Sequence, residues 1–300
     1  MAEATTEDVL RWEARQGPRA AVAAGLGAIL AVAPPFAQTA LFRDRPRTGL
    51  VDALGRAGNE GGVGALPSSR TAFFEFYEDH AASLLLLAVA HGLGLAGIAF
   101  VLAYVGKAVH ERTESFRGYW IKLVLAGGLL AAISTLMQTV TTLAAISDFL
   151  SGPQTVDRAA DVGNTWTAAA AEFIGLFGSL GLGLCWVVIC LNAMRVGLLT
   201  RFMGVLGIIC GATLVLPILT PIVQTFWLGA MALLLLGRWP NGVPPAWSTG
   251  AAQPWPSQQA VREARRRGAE PEPDPEPATQ GSDGRAHPSS NKRKKRKKRS

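Results

Sequence analysis

Only 17% of the 300 residues are charged and 49% are hydrophobic, against about 25% charged in an average soluble domain. The net charge of +7 points first toward nucleic acid, yet eight of the 29 basic residues stand in one run, Lys292 to Arg299. The rest of the chain carries 21 basic residues against 22 acidic. The basicity therefore belongs to a tail and excludes a generally basic fold.

Lys, Arg, Asp and Glu are missing from residues 20–42, 81–106, 123–147, 173–194 and 202–237. A run of 18 or more such residues is long enough to cross the ~30 Å hydrocarbon core of a bilayer. Ahead of the first run, residues 1–19 read as a cytoplasmic segment with Arg11, Arg15 and Arg19, in which Thr6 to Trp12 forms a short capped helix on the membrane surface. The first span covers about 20–42. A cleaved leader ending at Ala31-Val32-Ala33 is opposed by Pro34 directly after it and by four acids in the leading segment.

Residues 43–80 form an external loop. Its first half is rich in glycine (Gly58, Gly61, Gly62, Gly64), and its second half, Phe73 to His80, is aromatic and acidic, an interfacial lead-in to the second span. Spans then follow at about 81–106, 123–147 and 167–194. The last uncharged run, 36 residues long, exceeds one untilted span at 1.5 Å per residue. Pro217 and Pro221 break it into a hairpin of two short spans, 202–217 and 220–237.

The resulting fold class is all-α, a six-helix transmembrane bundle with a disordered C-terminal tail. Lys and Arg number three in 1–19, four in 107–122 and two in 195–201. The alternate connections carry five, one and none, which places both termini inside. Arg43, Arg45 and Arg47, just past the first span on the outer side, run against that count. Residues 238–300 read as a disordered cytoplasmic tail. Pro240, Pro244, Pro245, Pro254 and Pro256 interrupt it, and a charged proline alternation follows from Glu270 to Pro277, with one short helix allowed over 258–267.

Small residues four apart, at Gly175, Ser179 and Gly183, at Gly207 and Gly211, and at Ala90 and Gly94, are the signals for close helix packing in lipid. Polar side chains are expensive at membrane depth and are the default candidates for function. In the six-span topology Gln38, His91, Gln138, Thr142, Glu172 and Gln224 all fall from mid-depth outward, with Thr39, Thr139 and Thr225 beside them. The expectation is a polar cavity open to the outer face that admits a small solute. Binding, sensing or transport would follow from it. The competing expectation is a scaffold or accessory protein with a closed bundle, acting through the external loop and the tail.

Cys185, Cys190 and Cys210 lie in apolar runs without a metal-ligand spacing and read as packing thiols. The short signatures of zinc proteolysis, acyl transfer and nucleotide binding are absent. Haem would need paired axial ligands, and His91 is alone at depth, so no catalytic residue, metal or cofactor is assigned. The expected partners are the lipid bilayer itself, anionic headgroups for Lys292, Arg293, Lys294, Lys295, Arg296, Lys297, Lys298 and Arg299, and a protein partner or second copy of the chain. No aromatic residue interleaves the basic run, which argues against nucleic acid.

At the fourth junction, Gly197-Leu198-Leu199-Thr200-Arg201-Phe202-Met203-Gly204 forms a G-L-L-x-R-x-x-G turn between two spans. In this the chain, from about residue 75 to 237, resembles a family of uncharacterised bacterial multi-helix membrane proteins known as a domain of unknown function. That family commonly has proline where Thr200 stands. The resemblance implies a helical domain in a bacterial cytoplasmic membrane, and no activity.

Overall fold

The structure is a computed structural model that describes residues 5–46, 64–215, 220–240 and 242–254. It is all-α. Helix α1 runs Thr6–Leu41 and ends in a 3₁₀ turn, Phe42–Asp44. It is followed by α2 (Thr71–Asp79), α3 (Ala81–His110), α4 (Tyr119–Ser151), α5 (Val156–Asp161), α6 (Trp166–Arg195), α7 (Arg201–Val215), α8 (Thr220–Leu235) and α9 (Pro245–Thr249). Four helices, α1, α3, α4 and α6, are long and apolar enough to cross a bilayer, and α7 and α8 are shorter apolar helices. The chain is a multi-pass helical membrane protein.

Its outward side chains fit that solvent. Leu26, Ile29, Leu86, Leu93, Leu129, Phe173, Phe177, Phe202 and Phe226 are exposed, Leu86 to 69% and Phe177 to 65%. Water would penalise an apolar perimeter on this scale, whereas lipid does not.

Antiparallel neighbours close the bundle in the order α1, α3, α4, α6, α7, α8 and back to α1, and α3 also touches α6. Glycine sets the closest approaches. A Cβ built on Gly127 of α4 would stand 2.7 Å from the backbone N of Leu182 on α6, and one on Gly178 would stand 2.5 Å from the N of Ala131. Gly211 of α7 meets the Gly183 carbonyl of α6 at 2.6 Å in the same sense, and Gly94 of α3 meets the backbone of Leu30 on α1 at 3.2 Å. Several of these are the small residues that the four-residue spacing singles out. The buried core gathers near the end that carries the N-terminus, around Trp186, Trp227, Leu102, Ile189 and Met203, with Cys185, Cys190 and Cys210 packed in it as free thiols.

Two stretches differ from the sequence reading. The separate surface helix expected at Thr6 to Trp12 is the opening of α1, which continues unbroken through Pro18, Pro34 and Pro35. Thr5 caps it, accepting from Asp8 N while the Asp8 carboxylate accepts from Thr5 N. Thr5 Oγ1 also donates to the Asp8 carboxylate at 2.7 Å, and this bond, with the one from Thr5 N, holds the exposed Asp8 carboxyl below its ordinary range.

The early tail is also folded against the bundle where disorder was expected. Trp247 Nε1 donates to Leu198 O at 2.8 Å, Gln253 N to Val196 O at 2.9 Å, and Ala246 is fully buried. Gly250 turns with φ +68°, and a Cβ there would lie 2.6 Å from Thr6 Cγ2. These contacts hold the strap to the bundle, although prolines flank it. Pro217, the glycines Gly58, Gly61 and Gly62, Arg47, the expected helix at 258–267 and the basic run Lys292–Arg299 lie outside the described residues.

The junction motif has a local explanation. Gly197 adopts φ +81° and ends α6, and the amides of Leu198 and Leu199 fold back on Ala193 O at 2.9 and 3.2 Å. Thr200 then caps α7 by accepting from Met203 N at 3.3 Å. The G-L-L-x-R-x-x-G string thus joins a glycine C-cap to the following N-cap.

Candidate functional site

At the end opposite the N-terminus, α1, α3 and α4 enclose a cleft of about 390 Å³. Leu84, Leu87, Ala88 and His91 form its α3 wall. They lie on the face of α3 opposite Leu86, Val89 and Leu93, which are exposed at the perimeter. The cleft is thus on the inward side of α3. His91 is ten residues into that helix, roughly 15 Å at 1.5 Å per residue.

Pro34, Pro35 and Gln38 supply the α1 wall. Each proline lacks an N–H, so the carbonyls of Leu30 and Ala31, four residues back, lose their helical donors. Gly94 brings α3 against Leu30 O one turn below His91. From α4 come Thr135, Gln138, Thr139 and Thr142.

Hydrogen bonds fix how this wall is presented. Ser134 Oγ donates to Ala171 O on α6 at 2.7 Å, so its remaining role is to accept, and it accepts from Gln138 Nε2 at 3.0 Å. That settles which end of the Gln138 amide is nitrogen. Gly175 leaves the room, since a Cβ there would meet Ser134 Oγ and stand 3.4 Å from Gln138 Nε2. Thr135 and Thr139 each donate to the carbonyl four residues back, Ala131 O at 3.0 Å and Thr135 O at 3.1 Å. Their protons are committed and their lone pairs are not.

A second cleft, about 310 Å³, adjoins the first and shares Tyr77, Gln138 and Thr142 with it. Arg70, Phe74, Ile146 and Glu172 are among its lining. Its cover is built by α2 and the segment before it. Phe74 sits edge-on to Phe149 of α4 at 5.0 Å, and Ser68 N donates to Gln154 O at 2.7 Å while Val156 N donates to Leu66 O at 3.0 Å. Tyr77 is further held by Phe42 at 4.9 Å. Burial pushes its phenol above the ordinary tyrosine range, against the opposing pull of Arg45.

Of the six residues singled out from sequence, Gln38, His91, Gln138 and Thr142 therefore share one cleft, and Glu172 lines the adjoining one. Gln224 lines neither. It is buried on α8 with no hydrogen-bond partner on Nε2 among the described residues, and its neighbour Thr225 donates to Ala28 O on α1. Tyr77, Arg70 and Thr135 are lining residues that sequence reasoning did not single out. Tyr77 and Arg70 stand outside the uncharged runs, and Thr135 is distinguished from other span threonines only by its face.

The opposite end carries an ion pair that was not foreseen. The Arg112 side chain, fully buried, donates to both carboxylate oxygens of Glu13, at 2.5 and 3.0 Å, to Ala246 O at 2.8 Å and to Ala108 O at 2.9 Å. Trp12 stacks on Tyr104 at 5.1 Å, Tyr104 on Trp247 at 5.9 Å, and Lys107 lies over Trp12 at 4.4 Å. This cluster joins the start of α1, the α3–α4 turn and the strap.

Among the described residues no three His, Cys, Asp or Glu side chains come together. Compared with protein families, with curated proteins and with solved structures, the chain has no match.

Proposed function

We propose that the chain binds a small solute in an outward-facing vestibule formed by the cleft between α1, α3 and α4, as the recognition step of sensing or transport. In this reading six helices span a bacterial cytoplasmic membrane with both termini inside. The basic residues 292–299 then meet anionic headgroups of the inner leaflet, each contributing about 1 kcal/mol. If α7 and α8 form a re-entrant hairpin instead of two full spans, the strap and tail still emerge on the same side.

The observation that carries the reading is the convergence of His91, Gln138, Thr139 and Gln38 from three separate helices on one cavity of about 390 Å³. Ligand sites commonly occupy about 300–1,000 Å³ with a few convergent polar groups on an otherwise apolar wall. Leu84, Leu87, Ala88 and Leu143 supply that apolar part. Polar groups with only a packing role would be expected to be paired within the protein. His91 has no hydrogen-bond partner among the described residues.

The test is a solute screen on the purified full chain, read by thermal stability and tryptophan fluorescence, repeated on His91→Ala and Gln138→Ala. A response in the parent chain that weakens in both variants supports the reading. A solute response that neither substitution changes would assign binding to another place.

A further inference from the structure

We propose that the vestibule takes an uncharged, polyhydroxylated solute, a small polyol; this rests on the reading of the cleft as a binding site.

The lining argues first against ions. None of the thirteen residues around the inner cleft is Lys, Arg, Asp or Glu, and an ion drawn to membrane depth without a counter-charge bears a large desolvation cost. Charged groups stand only outside it: Arg70 and Glu172, of opposite sign, line the adjoining cleft, and Arg45 lies near enough to act on Tyr77.

The remaining chemistry is a dense set of neutral hydrogen-bonding atoms with acceptors prominent. Thr135 and Thr139 have given their protons to backbone carbonyls, so each offers only oxygen lone pairs. Gln138 has given one amide proton to Ser134, which leaves its carbonyl oxygen and one N–H. Tyr77, Thr142 and Gln38 add donors nearer the mouth. A ligand that satisfies this wall must donate several hydrogen bonds deep in the cleft and accept a few near its opening. A hydroxyl does both. Leu84, Leu87, Ala88 and Leu143 meanwhile offer an apolar surface for the C–H faces of the same molecule. A purely apolar solute would leave the threonine and glutamine oxygens unpaired, and an anion would face their lone pairs.

The experiment uses the full chain in lipid nanodiscs. Binding of glycerol, sorbitol and myo-inositol is measured by saturation-transfer NMR, alongside tetramethylammonium and acetate as ionic probes. Thr135→Val and Thr139→Val remove an acceptor while keeping the branched shape. Thr213→Val, which removes an equivalent back-bonded hydroxyl outside both clefts, reports any general effect on folding. A Gln138→Cys variant, in a background lacking Cys185, Cys190 and Cys210, is reacted with an impermeant thiol reagent.

The expected result is polyol binding that weakens about five- to tenfold in each cleft variant, from the loss of one hydrogen bond, and stays unchanged in Thr213→Val. Binding of an ionic probe in place of the polyols, weakened by the same substitutions, would overturn the polyol class and leave the vestibule standing. Labelling at position 138 with no polyol bound would do the same. Failure of every probe together with protection of position 138 would overturn the vestibule itself.

Discussion

Replacing Glu13 with Ala should destabilise the bundle more than any other single surface-end substitution, because it leaves the Arg112 guanidinium buried without its counter-ion. The Arg112 side chain is fully buried and that of Glu13 is 6% exposed, and the two share a bidentate contact at 2.5 and 3.0 Å. Removing one partner of such a pair costs about 3–5 kcal/mol, whereas exchanging both for apolar residues of similar volume is often neutral. Arg112 also holds Ala246 O and Ala108 O, so Arg112→Met loses the tie to the strap as well as the ion pair.

The double variant Glu13→Leu/Arg112→Met removes both charges and should cost less than Glu13→Ala or Glu13→Leu alone, the latter closing the cycle with Arg112→Met. The two single substitutions would then be strongly non-additive. The assay is reversible unfolding in mixed micelles with rising dodecyl sulfate, followed by tryptophan fluorescence. Trp12 and Trp247 flank the cluster and report it directly. A loss of 3–5 kcal/mol is about two to three and a half powers of ten in the unfolding equilibrium. A cost below about 1 kcal/mol for Glu13→Ala, the level of an exposed pair, would refute the reasoning, and so would strict additivity across the cycle.

Three further predictions concern glycines. Gly127→Ala places a methyl group 2.7 Å from the Leu182 backbone, which cannot move aside as a side chain can, so it should cost about 1–3 kcal/mol in the same assay. Gly229→Ala meets nothing within 4 Å and should be neutral or stabilising by about 0.5–1 kcal/mol. Gly197→Ala strains a φ of +81° and drives a Cβ into Gln253 O, so limited proteolysis should cut the 242–254 strap faster in that variant while leaving the helices intact.

The spans were legible because a bilayer forbids charge over a fixed length, and absence of charge can be read off a sequence directly. The last uncharged run, too long for one untilted span, holds two shorter apolar helices, α7 and α8, and residues 216–219 between them lie outside the described residues. The continuity of α1 was hidden because Glu7, Asp8, Arg11, Glu13, Arg15 and Arg19 mark where the bilayer ends, and a helix need not end there. Glu13 is stabilised by a residue 99 positions away, which no local pattern could announce. The strap was hidden for the same reason, its acceptors being Leu198 O and Val196 O in a distant turn.

For the cleft, sequence gave depth without direction. Gln38, His91, Gln138 and Thr142 share both depth and face, while Gln224 shares only the depth and is turned into another contact. A moderately polar helix face, unlike a fully amphipathic one, carries too weak a period to fix that angle.

The account is tested most directly by thiol accessibility in intact cells. Cysteines placed at 91 and 138, in a chain without its three native cysteines, are challenged with an impermeant maleimide. Both positions should react from outside, and position 93, on the lipid-facing side of α3, should not. Protection of 91 and 138 from the outer face, or reaction only from the inner one, would contradict an outward-open vestibule.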